Sequence, residues 1–91
     1  MKANNWFLYV LRCSDETLYT GITTDLTRRL NEHNGTPRGA KYTKTRRPVE
    51  LIYWVDFEDR VSAQKAEYKF KQLTRDQKKK IINERAETKN R

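Results

Sequence analysis

Two short runs of alternating apolar residues, separated by three turn-forming residues, constrain this chain more than any other feature. From Trp6 to Cys13, Leu8, Val10 and Arg12 fall on one face and Phe7, Tyr9, Leu11 and Cys13 on the other. Leu18, Thr20 and Ile22 then alternate with Tyr19 and Gly21. A period of two with β-branched and aromatic residues marks strands, and a link as short as Ser14-Asp15-Glu16 admits only an antiparallel hairpin. Gly21 is read as ending the second strand. Thr24 or Asp25 caps a helix to about Asn34, with Leu26 and Leu30 stacked one turn apart and Asn34-Gly35 closing it. Leu51 to Phe57 is apolar at nearly every position, which predicts a central strand covered on both faces. Ser62 is expected to cap a helix whose apolar stripe is Ala63, Ala66, Phe70 and Leu73. Thr74-x-x-Gln77 forms a capping box for a last helix running to about Glu87, with a frayed tail beyond. The class is α/β, in one domain over residues 1–91, with residues 74–91 as a basic C-terminal helix and tail.

Composition narrows the function. The 91 residues carry 20 Lys+Arg against 12 Asp+Glu, a net charge of +8, with 35% hydrophobic residues, so the small core leans on aromatics. A single cysteine, Cys13, excludes an intramolecular disulfide, a Cys/His zinc set and a Cys-x-x-Cys redox pair, and fits a reducing compartment. No apolar run reaches the roughly 20 residues of a membrane span, and the apolar run at the start is too short for a secretory signal. A cytoplasmic protein with no membrane partner is expected. The positive charge lies in two blocks. Residues 37–48 hold five basic residues and no acid, and residues 60–91 hold eleven bases against four acids. Residues 1–36 are neutral, and 49–59 carry four acids and no base. The first block, bounded by Pro37 and Pro48, lacks regular periodicity and reads as a basic loop with Tyr42 among its cations. Such a loop suits a phosphate backbone with an exposed base, because cations release counterions and the ring can stack. It equally suits a solvated loop whose tyrosine packs on the core, and the charge alone also fits a ribosome-associated or membrane-surface protein.

Three features place reactive groups together. Tyr9 and Tyr19 lie on adjacent strands with the turn near their midpoint, as expected cross-strand neighbours. Arg29 and His33 share a helix face away from Leu26 and Leu30, and Gly21 leaves room there for a ligand to approach. Glu67 sits at the margin of its helix's apolar stripe, where an acid needs a partner or a metal. Singly, each has a plainer role: paired tyrosines pack, a helical histidine sits on the surface, Arg29 is solvated, and Glu67 pairs with Lys71 at i, i+4. Together they supply phenol, guanidinium, imidazole and carboxylate, the groups of metal-assisted phosphodiester hydrolysis.

These residues carry a resemblance. Phe7-Leu8-Tyr9, then Tyr19-Thr20-Gly21, Arg29 eight residues after the glycine, His33 four later and Glu67 downstream resemble the GIY-YIG endonuclease superfamily. The segment from about residue 6 to 73 is similar to the small stand-alone bacterial members related to structure-specific junction-cutting nucleases of DNA repair or recombination. The first tripeptide departs from GIY and the second from YIG, while both tyrosines and the final glycine are kept.

The resemblance implies a small three-stranded, mainly antiparallel sheet flanked by helices, and a Mg²⁺ ion, with Mn²⁺ as a substitute, held chiefly by Glu67. Arg29 would oppose charge developing on the scissile phosphate. Tyr9 or Tyr19, assisted by His33, would help deprotonate the attacking water, and Gly21 would permit close backbone approach. Arg38, Lys41, Tyr42, Lys44, Arg46 and Arg47, with Lys78, Lys79 and Lys80, would position DNA. Related enzymes often carry a separate DNA-binding domain, so the expected partner is branched, flapped or nicked DNA, with a further protein as a source of specificity. The competing reading is a noncatalytic nucleic-acid-binding protein that keeps the scaffold.

Overall fold

The computed structural model describes residues 5–89. Its elements are β1 (Trp6–Arg12), β2 (Leu18–Thr23), α1 (Leu26–Gly35), α2 (Lys41–Lys44), β3 (Glu50–Phe57), α3 (Arg60–Lys71) and α4 (Arg75–Lys89). The strands form one antiparallel sheet in the order β2-β1-β3, as expected for this chain. At the hairpin, Asp15 Oδ1 accepts from the Thr17 amide at 3.2 Å and from the Thr17 hydroxyl at 2.6 Å. This side-chain turn lets Glu16 take a left-handed φ of 69°.

The alternation of β1 divides the core into two layers. Leu8 and Val10 pack with Phe70 of α3 and Ile82 of α4, joined by Leu18, Ile22, Ile52 and Ala66. On the opposite face Tyr9, Leu11, Cys13 and Val49 pack with Tyr19, Leu26, Leu30, Leu51 and Trp54. Helix α1 thus covers one face and the α3–α4 pair the other, and β1 is the central strand. The expectation of a central third strand is corrected: β3 is an edge strand bearing exposed Glu50 and Asp56. Its continuous apolar run reflects coverage of both faces, which does not depend on having a strand on each side. Ile52 is the extra residue of a bulge, since Val10 pairs with Tyr53 and Leu11 with Leu51.

Local chemistry explains the helix starts. Asp25 caps α1 by accepting from the Arg28 amide at 3.0 Å. Asp59, not Ser62, caps α3: its carboxylate accepts from the Ser62 amide at 2.8 Å, placing Ser62 inside the first turn. The Thr74–Gln77 box is reciprocal, at 2.9 and 3.2 Å, and opens α4. Residues 90–91 of the expected frayed tail lie outside the described residues. The basic loop contains one helical turn, α2, which the sequence did not signal, because the amides of Thr43 and Lys44 both donate to Ala40 O. Among the described residues, no helix is long and apolar enough to cross a membrane.

Candidate active site

Tyr9 lies opposite Gly21, and Tyr19 lies opposite Leu11. The two tyrosines are therefore diagonal neighbours on one face, with ring centroids 6.3 Å apart. Gly21 is inside β2 and does not end it, and no glycine has a positive φ. What Gly21 supplies is room for Tyr9: a Cβ there would stand 2.6 Å from Tyr9 Oη and 2.7 Å from Cζ. The space expected for a ligand is occupied by the phenol itself. Gly21→Ala should therefore lower stability by about 1–3 kcal/mol through overpacking, read as a drop in melting temperature.

Helix α1 adds the imidazole and the guanidinium. His33 is its only buried residue, fully enclosed at 0% exposure, instead of standing at an open edge. Its Nε2 lies 2.8 Å from Tyr9 Oη, and its ring meets the edge of Tyr19 at 5.2 Å. Arg29 is half-buried; its Nη1 donates to Glu32 Oε1 at 2.9 Å and to Arg38 O at 2.8 Å. Glu32, one turn along α1, thus aims the guanidinium.

The electrostatics follow from this enclosure. Burial pushes the Tyr9 phenol up to about 12, although the neighbouring Arg29 pulls in the other direction. Burial, helped by the charge of Arg29, brings His33 down to about 4. Burial alone would lower the Arg29 pKa, but its bonds to Glu32 and its proximity to Tyr9 raise it, so the guanidinium stays charged. Arg29 in turn holds Glu32 below the usual carboxylate range.

His33 carries a pH signature. Between 6.5 and about 4 the unfolded histidine takes a proton that the folded one refuses. Its contribution is therefore complete above pH 6.5 and is lost as pH falls toward 4, by about 3 kcal/mol in all. Urea melts at pH 7, 6 and 5 should show this slope, and His33→Gln should flatten it. The depressed carboxylates Asp15, Glu32 and Asp59 act at more acid pH, around and below their ordinary values of 3.8–4.5.

Glu67 comes from the layer on the other face. Helix α3 packs against both β1 and β2, and the negative charge of Glu67 is felt at Tyr9, whose pKa it raises. Its side chain is 23% exposed, with Oε2 3.2 Å from Lys71 Nζ. Among the described residues, no group of three or more His, Cys, Asp and Glu could hold an ion. One accessible carboxylate does suit a hydrated magnesium ion, which keeps most of its waters and needs one or two carboxylates plus phosphate oxygens.

The basic residues separate into two kinds. Arg46 donates to Asp15 Oδ2 at 2.9 Å and to Tyr42 O at 2.8 Å, with its guanidinium 3.9 Å from the Tyr42 ring centroid. Tyr42 also stacks on Tyr19 at 5.9 Å, so its ring is part of the wall behind the tyrosines. Arg47 is structural as well: it donates to His33 O and to Thr36 O, tying the end of α1 to the loop. Arg38, Lys41, Lys44, Lys79 and Lys80 are exposed, and Lys78 lies over Phe70. Tyr42 shares a shallow groove of about 240 Å³ with Thr17, Leu18, Arg75 and Lys78, which joins the two basic blocks past the hairpin end.

Four contributors escaped the sequence reading. Glu32 had a signal in its i, i+3 spacing from Arg29. Arg75 lay in the basic C-terminal block but was not singled out. Thr43 and Asn34 had none: Thr43 reaches His33 Nδ1 at 2.9 Å, and the Asn34 amide mimics a strand partner of Val49 with bonds of 3.0 and 2.7 Å.

Residues 5–80 match the GIY-YIG catalytic domain. A UPF0213 protein of Listeria innocua is 54% identical over 86 residues, covering 94% of each chain. One from Bacillus velezensis is 49% identical over 89 residues, 98% of this chain and 89% of the relative. The solution NMR structure of a protein from E. faecalis is 46% identical, with a TM-score of 0.62 over 91% of this chain and 88% of that one. With its tyrosines, arginine and histidine gathered on one face of an antiparallel sheet, the chain belongs to the GIY-YIG catalytic-domain family, among its small bacterial UPF0213 proteins.

Proposed function

We propose that this protein is an endonuclease that hydrolyses DNA phosphodiester bonds with a divalent cation. It selects branched, flapped or nicked DNA over any particular sequence, in the manner of the junction-cutting nucleases of repair and recombination. The observation that carries this reading is the meeting of Tyr9, Tyr19, Arg29 and His33 on one face, with Glu67 in electrostatic reach of Tyr9. The whole chain acts as a single nuclease domain.

Arg29 faces the scissile phosphate with a charged, pre-oriented fork of donors, held by Glu32 and Arg38 O so that little reorganisation is needed as charge develops. Tyr9 or Tyr19 takes or relays the proton of the attacking water. With its pKa near 12 Tyr9 keeps its proton at neutral pH in the free protein, so phosphate and water must enter beside Arg29 before it reacts. Glu67 holds the cation, magnesium or manganese, which when bound neutralises phosphate charge and activates water. Lys41, Lys44 and Arg38 on the loop, with Lys78, Lys79, Lys80 and Arg75 on α4, hold the DNA backbone.

The test is nicking of supercoiled plasmid and cleavage of a branched duplex with Mg²⁺ or Mn²⁺, against EDTA. Metal-dependent product supports the reading. Binding that survives in EDTA with no cleavage in either metal would establish the noncatalytic nucleic-acid binder instead.

A further inference from the structure

His33 is the only histidine of the chain, and its surroundings determine where its proton sits. The Ala40 amide points at Nδ1 from 3.2 Å, and a backbone N–H can only donate. Nδ1 must therefore be bare. The Thr43 hydroxyl lies 2.9 Å from the same nitrogen and also 2.9 Å from Ala40 O. Ala40 O already receives the amides of Thr43 and Lys44, whereas a hydroxyl oxygen facing a bare Nδ1 without a proton between them would be repelled. The Thr43 proton belongs on Nδ1. The remaining ring proton is then on Nε2 and donates to Tyr9 Oη at 2.8 Å.

We infer that Thr43 is a positioning residue: with the Ala40 amide it locks His33 as an Nε2–H donor to Tyr9 Oη, leaving the phenolic proton of Tyr9 directed away from the imidazole. His33 then does not accept the Tyr9 proton. It fixes the phenol's orientation, and the proton of Tyr9 is free for exchange with a group in the cleft. The wiring itself needs only these four groups; its catalytic consequence rests on the nuclease reading.

One experiment tests both parts. In the full-length ¹⁵N-labelled protein the two ring nitrogens of the single histidine are unambiguous in an NMR spectrum. At pH 7 the wild type should show a protonated Nε2 and an unprotonated Nδ1. Thr43→Val removes one donor at nearly constant volume and should mix the tautomers. Turnover of branched DNA should fall about tenfold with KM unchanged, the loss of one neutral hydrogen bond. Thr43→Ser should restore both readings. A protonated Nδ1 in the wild type, or Thr43→Val with wild-type ring signals and turnover, overturns the inference while leaving the nuclease reading intact. The predicted tautomer in a wild type that cuts nothing in any metal overturns the nuclease reading and upholds the wiring.

Discussion

Arg29→Ala is expected to slow DNA cleavage about a hundred- to a thousandfold, the usual loss when one pre-oriented donor to a developing oxyanion is removed. The guanidinium, whose pKa is raised further by its bonds to Glu32 and Tyr9 despite burial, is charged at neutral pH and is aimed by two hydrogen bonds from Nη1. Arg29→Lys should recover only part of the rate, because an ammonium restores the charge without the fork. Affinity for DNA should change little in either variant if the exposed lysines of the loop and α4 hold the backbone as proposed. A parallel loss of binding and cleavage would mark Arg29 as a docking residue. Stability must be followed as well, because without Arg29 the carboxylate of Glu32 loses its main partner.

Glu67→Gln is expected to reduce metal-dependent cleavage by at least about a hundredfold, the equivalent of the several kcal/mol that a metal ion contributes to stabilising transition-state charge. Its effect on folding should be small. The partner of Glu67 is Lys71 at 3.2 Å, four residues along the same helix, and such a pair contributes only about 0.2–0.5 kcal/mol. Glu67 thus separates the catalytic account from a structural one: lost cleavage with an unchanged melting temperature supports a metal ligand. Unchanged cleavage would leave Glu67 as half of a surface ion pair.

The hairpin and three of the four helices were legible because each rests on local information, namely periodicity and capping chemistry. What was not legible depends on contacts between distant segments. The apolar run of β3 reveals that its faces are covered but not that β1 lies inside it. Gly21 looked like space for a ligand, yet only the register opposite Tyr9 shows whose atoms fill that space. His33 was read with Arg29 on a face away from Leu26 and Leu30, yet three residues past Leu30 it falls on the same buried stripe, and Thr43 and Ala40, seven to ten residues on, close over it. The loop cations looked alike in sequence. Arg46 and Arg47 nonetheless bond to Asp15, Tyr42 and the end of α1, whereas Arg38, Lys41 and Lys44 are exposed. Their charge was visible, but which of them the fold ties down was not.

In the proposed reaction one carboxylate on α3 and one guanidinium on α1 serve a shared phosphate. The decisive measurement is single-turnover cleavage of a branched duplex in Mg²⁺ by the wild type and by Glu67→Gln, with binding followed in the same samples. Both proteins should bind the duplex, and only the wild type should cut it. Equal cutting by the two, or no cutting by the wild type in either metal, would contradict the proposed reaction.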